Sequence, residues 1–145
     1  MSKMPKFRAW DKKYKMLMRV NQIDFLKGTA WLEADQGDHE TRHTLTRCFD
    51  DLIFMQYTGL KDKNGVAIFE WDIVQSTWYD VDNNPYKKKG EITYVGAQYV
   101  IVYDSQFDVE TVEITYDAHN LTYAEDAEVI GNIYENPELL SSGIE

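Results

Sequence analysis

His39-Glu40-Thr41-Arg42-His43 matches the H-E-x-x-H pattern of zinc peptidases letter for letter. That chemistry needs a helix. A spacing of four then sets both imidazoles on one face, where they hold Zn²⁺ while the intervening glutamate activates water. The surroundings here oppose it. Residues 35–43 are the most polar stretch of the chain, Arg42 and nearby threonines disfavour a buried helix, and the segment reads as a loop. Glu70 lies downstream, but at no familiar third-ligand spacing. His39 and His43 are therefore weak metal candidates only, and the expectation is no metal, no cofactor and no peptidase. Cys48 lies near enough in sequence to join the histidines. In its apolar stretch it reads instead as a small core residue.

A second constellation is aromatic and basic. Trp71, Trp78, Tyr79 and Tyr86 precede Lys87-Lys88-Lys89. Rings beside lysines can stack bases and hold phosphate, as in OB-type barrels. Trp71 falls on a predicted core face. Trp78 and Tyr79 fall on opposite faces of a continuing strand. The candidate binding residues are thus Trp78, Tyr79, Tyr86, Lys87, Lys88 and Lys89. A net charge of −10 repels phosphate backbones, so nucleic acid is disfavoured and an edge or interface role preferred. Asp80-Val81-Asp82-Asn83-Asn84 lacks the central glycine and terminal glutamate of a calcium loop. The chain has no phosphate-cradling glycine loop, nucleophile elbow or CxxC pair. The expectation is a protein that is not an enzyme.

The charge is unevenly placed. Residues 101–145 hold 11 acids and no Lys or Arg, which leaves 14 acids against all 15 bases in residues 1–100. Residues 1–28 carry eight bases and two acids. A basic start and an acidic end suit two ends that neutralise each other, or a homo-oligomer. One cysteine excludes an intrachain disulfide and points to a reducing compartment. No apolar leader opens the chain, and no run approaches the roughly 18 apolar residues of a membrane span. The expected location is the bacterial cytoplasm, with no membrane partner.

Strands must position these residues. Twenty aromatics against eight glycines and three prolines favour a pleated surface. Phe7–Trp10 reads as a strand and Asp11–Lys15 as a turn. Met16, Met18 and Val20 alternate, and the parity then changes at Asn21-Gln22, which calls for a bulge. Ala30–Glu33 and Ile53–Tyr57 follow as strands, with Asp50-Asp51 at a corner or short helical turn. Asn64-Gly65 reads as a type I′ turn with positive φ at both residues. Ala67, Phe69, Trp71 and Ile73 then form one face. Residues 81–90 read as a polar loop. Strands over Ile92–Tyr94, Tyr99–Tyr103, Val112–Tyr116 and Val129–Tyr134 complete the set, and Pro137–Leu140 suits a terminal helical turn. The expectation is a mostly β fold with few short helices. A small SH3-like or OB-like barrel occupies residues 66–135, and an N-terminal β layer residues 1–58, as sublobes of one domain spanning 1–145.

Three blocks resemble the YopX family of phage and prophage proteins. They are Lys6–Asp11, then Met55–Gly65 running on through Ile68–Val74, and Glu128–Leu139. The family pattern reads Glu-Gly-Asp where this chain has Glu70-Trp71-Asp72, and a tryptophan reaches glycine's positive φ only at a cost. The resemblance implies a β-rich accessory protein of phages of Gram-positive bacteria. It implies no activity, cofactor or catalytic residue. The partner expected is a host or phage protein, or a second copy of the chain.

Overall fold

The computed structural model describes residues 6–34, 43–95, 98–108, 113–120 and 126–141. The chain is mostly β, as expected, and divides into two compact units, Met1–Tyr57 and Thr58–Glu145. Among the described residues no helix is long and apolar enough to cross a membrane.

The first unit is a run of antiparallel strands: β1 (Phe7–Asp11), β2 (Met16–Asp24), β3 (Thr29–Ala34), β4 (His43–Cys48) and the opening half of β5 (Leu52–Lys61). They hydrogen-bond in the order β4-β3-β2-β1-β5. Alternation puts Ala9, Met18, Ala30, Leu32 and Leu52 on the buried face, packed with Met16, Val20, Leu45, Phe49 and Phe54. The bulge called for at Asn21-Gln22 is present: Val20 faces Leu32 and Gln22 faces Trp31, so Asn21 has no partner. The corner at Asp50-Asp51 is a single 3-10 turn, Phe49–Asp51.

Cys48 corrects the reading of it as a core residue: it is exposed. β4 lies at the end of the sheet order, and its alternate residues Thr44, Thr46 and Cys48 all face outward.

In the second unit the closing half of β5 turns into β6 (Ala67–Phe69). The turn between them is not type I′. Gly65 alone of the Asn64-Gly65 pair has positive φ, at 82°, and Asp62 shapes the loop instead. Its Oδ1 accepts the N–H groups of Asn64 and Val66 at 2.8 and 2.9 Å, and its Oδ2 that of Val129 at 2.9 Å. The following strands are β7 (Asp72–Tyr79), β8 (Pro85–Val95), β9 (Gln98–Asp108), β10 (Glu113–Asn120) and β11 (Glu128–Asn132). The short helix α1 (Glu138–Ser141) comes last.

These strands form an antiparallel sheet in the order β10-β9-β8-β7-β11. Among the described residues it is open rather than a closed barrel. Closure needs the end strands to meet, whereas β11 pairs with β7 and β10 with β9. Ile68, Val74, Ile92, Ile101 and Ala127 make the core, flanked by Leu60, Tyr99 and Val129.

Two local readings change here. Trp71 does not continue the face of Ala67 and Phe69. It sits half-buried in the two-residue turn between β6 and β7, at a φ of 67°. Residues 85–90, read as loop, are strand. The lysine run has no alternation of its own, and its pairing with the polar Gln75-Ser76-Thr77 gives it strand geometry.

Candidate functional site

All six predicted binding residues lie on one hairpin. Strands β7 and β8 pair from Ile73↔Glu91 out to Tyr79↔Pro85. β11 pairs with β7 only over Asp72–Gln75, and β9 with β8 only over Glu91–Val95. Ser76–Tyr79 and Pro85–Gly90 therefore extend past both neighbours in strand pairing, as a two-stranded arm.

The arm's sequence accounts for its shape. Thr77-Trp78-Tyr79 is strongly strand-forming. Pro85 stands at the first position of β8, where a missing N–H is tolerated. The tip is closed by Asp80, whose Oδ1 accepts the N–H groups of Asp82 and Asn84 at 2.9 and 2.8 Å. Asn83 takes the positive φ, 64°, that the turn requires. The Asn84 N–H holds the Asp80 carboxyl below the usual carboxylate range. Asp80 thus serves the turn, in the stretch that superficially resembles a calcium loop.

Alternation splits the six residues between two faces. Trp78 stands opposite Tyr86, with Lys88 diagonal to it, and the Lys88 ammonium lies 4.7 Å from the Trp78 ring centroid. Tyr79, Lys87 and Lys89 share the other face. There Lys87 Nζ donates to Thr77 Oγ1, directly opposite, at 2.7 Å. Tyr79 is 61% exposed, Tyr86 43%, and Val81 at the tip is fully exposed. Val81 is the exposed apolar residue at the tip that sequence reasoning missed. A valine between two aspartates carries no periodic signal, and its exposure follows from the Asp80 turn alone. On the β7 edge, the Thr77 N–H donates to Asp126 Oδ2 at 2.9 Å.

The histidine candidates are not brought into a site. His39 lies outside the described residues. His43 is the first residue of strand β4, not of a helix. Among the described residues no three His, Cys, Asp or Glu side chains gather as a metal-holding group.

The blocks that carry the family resemblance hold a different set of polar residues, all buried: Asp11, Asp62, Asp72 and Asn132. Each locks a turn. Asp11 Oδ1 accepts the N–H groups of Lys13 and Tyr14 at 2.9 and 3.0 Å, and its Oδ2 takes Arg47 Nε at 2.7 Å. Asp72 Oδ2 accepts the Phe69 N–H at 2.8 Å across the Glu70-Trp71 turn. Asn132 Oδ1 accepts those of Tyr134 and Glu135 at 3.0 and 2.8 Å. Burial pushes the Asp11 carboxyl up, but Arg47 and the two N–H donors outweigh it and hold it below the usual range. Asp62 is likewise pushed up by burial and held low by its three N–H donors. These carboxylates accept the backbone N–H groups that close their turns.

The chain is similar to protein EF1440 from Enterococcus faecalis, whose crystal structure superposes with a TM-score of 0.59 at 29% identity, over 96% of this chain and 99% of that one. No curated protein matches. The family model described as YopX protein matches residues 6–141, which include every turn-locking residue above, and the chain belongs to that family.

Proposed function

We propose that this protein is a non-enzymatic phage or prophage accessory protein that works through protein–protein contact, with the β7–β8 arm as its contact surface. The carrying observation is the arm itself. It extends past the sheet's other strand pairings and presents Tyr79, Val81 and Tyr86 to solvent around an Asp80-closed tip. Exposed aromatic and aliphatic side chains on a preordered element are the composition of an interface centre. Lysines on the paired strands discourage unspecific edge-to-edge association. Nucleic acid is the weaker reading. Lys88 already covers one face of Trp78, and a net charge of −10 repels a polyanion.

Tagged protein exposed to an infected host cell should retain partners that a Tyr79→Ser/Val81→Ser/Tyr86→Ser variant loses. Light scattering between about 50 and about 500 mM salt, a span of Debye screening, then separates a second copy from a different chain. Salt-sensitive binding to single- or double-stranded DNA or RNA that this variant abolishes would replace protein contact by nucleic-acid binding.

A further inference from the structure

Strand β9 parts from β8 at a single residue. The last pair between them is Glu91↔Val102. On the other side of β9, Val102 faces Ala118 and Asp104 faces Asp117, so Tyr103 has no partner on β10. A bulge bends its strand, and this one falls where the β8–β9 pairing stops. Beyond it, Asp104–Asp108 pairs with β10 and Pro85–Gly90 with β7. Among the described residues, the sheet therefore ends in two double-stranded arms. The β8 edge of one and the β9 edge of the other have no strand beside them.

The two edges differ in charge. Pro85–Gly90 holds three lysines and no acid. Lys87 meets a hydroxyl and Lys88 a ring, contacts that leave both ammonium charges in place. The acids of that arm, Asp80 and Asp82, belong to its tip turn. Residues 103–117 hold five acids and no Lys or Arg. An edge strand rich in lysine repels a copy of itself but suits an acidic strand. The register agrees. Continued past Glu91↔Val102, it sets Lys89 opposite Asp104 and Tyr86 opposite Phe107. Opposite charges and paired aromatics are both favourable across strands.

A second copy of the chain offers what each edge lacks. Its acidic edge suits this β8, and its β8 suits this acidic edge. A two-fold axis makes the two contacts one contact repeated, and exchange of an identical element between copies is a low-cost route to a dimer. We infer that two copies exchange arms: the β9–β10 arm of each lies along the β8 edge of the other, Asp104–Asp108 against Pro85–Gly90. This goes beyond the contact-surface reading. It uses the open edge of the β7–β8 arm rather than the exposed rings, so either can stand without the other.

Sedimentation velocity at about 150 mM salt, where charges act over about 8 Å, tests it by charge exchange. The wild type should sediment as two chains. Lys87→Glu/Lys88→Glu/Lys89→Glu makes both edges acidic, and Asp104→Lys/Asp108→Lys makes both basic, so each variant alone should sediment as one chain. Mixed in equal amounts, they should form a two-chain species, because each then presents the charge the other lacks. That recovery also shows that both variants are folded. The milder Lys87→Gln/Lys88→Gln/Lys89→Gln should weaken association at least about tenfold. A wild type of one-chain mass, variants that associate alone as the wild type does, or a mixture that stays at one-chain mass would each overturn the exchange. A partner captured by the wild type and lost by Tyr79→Ser/Val81→Ser/Tyr86→Ser supports the contact surface whatever the mass. A two-chain mass that follows the charge swaps supports the exchange whatever is captured.

Discussion

Trp71 donates its backbone N–H to the Ile92 carbonyl at 2.9 Å while its own φ stands at 67°. Its carbonyl accepts the Ile133 N–H at 3.0 Å. The bend that the family pattern assigns to a glycine is thus kept by a tryptophan, gripped by hydrogen bonds on both sides. Holding a side-chain-bearing residue there costs about 1–2 kcal/mol. Trp71→Gly should therefore be more stable than Trp71→Ala by about 1 kcal/mol, although glycine is ordinarily the weaker of the two by about 0.5–1 kcal/mol. Urea denaturation of the two variants checks the sign. Alanine coming out ahead would mean that the bend is not strained.

The Asp11–Arg47 pair makes stability depend on acid. Asp11 and Asp62 both titrate below their ordinary 3.8 when folded. A depressed carboxylate stabilises the fold above its unfolded pKa and loses that contribution as pH falls through its folded pKa. The denaturation midpoint should hold from neutral pH down to about pH 4 and decline below it. Asp11→Asn should lower the midpoint at pH 7, and the gap to the wild type should shrink below pH 3.8. A gap that widens in acid would contradict the sign.

Gly131 stands at the irregularity where β11 shifts register against β7. A Cβ at this position would run into the Asn136 side-chain oxygen, which itself accepts the Asn132 N–H at 3.3 Å. Gly131→Ala should destabilise by about 1–3 kcal/mol. Gly28, with a φ of 68°, has open space around it, so Gly28→Ala tests φ alone. Relief of the Gly131→Ala loss by Asn136→Ala would identify the clash as its cause.

Much of the fold was legible in the sequence because alternation reports a half-buried strand directly. The Met16–Val20 pattern and its parity change at Asn21 appear as read, and the strand read over Val129–Tyr134 is present as Glu128–Asn132. Failures came where tertiary pairing overrides local pattern. Lys87–Lys89 has no alternation, yet Thr77, Ser76 and Gln75 pair with it as strand. Cys48 has apolar neighbours, but lies on an edge strand's outward face. At Asn64-Gly65 the turn type was set by Asp62, two residues earlier, whose carboxylate also reaches Val129 across the unit. The candidate residues from Trp78 to Lys89 were legible as a group. Their division between two faces became visible only with the β7–β8 register.

The arm's chemistry can be probed without knowing the partner. Trp78→Ala removes the ring beneath Lys88, on a face that closes onto buried Ser76 and Val74 nearer the sheet. It should destabilise the second unit by about 1–3 kcal/mol. Tyr79→Ser and Tyr86→Ser, at exposed positions, should each stay within about 0.5 kcal/mol of the wild type. Thermal denaturation of the three variants separates structural ring from contact rings. Equal losses at all three positions would make the arm a packing element.

Side-by-side affinity capture from an infected host cell, using wild-type protein and the Tyr79→Ser/Val81→Ser/Tyr86→Ser variant at matched circular dichroism, bears most directly on the arm as contact surface. A partner retained by the wild type and lost by the variant is the expected result. The same partners captured in the same amounts by both proteins would contradict it.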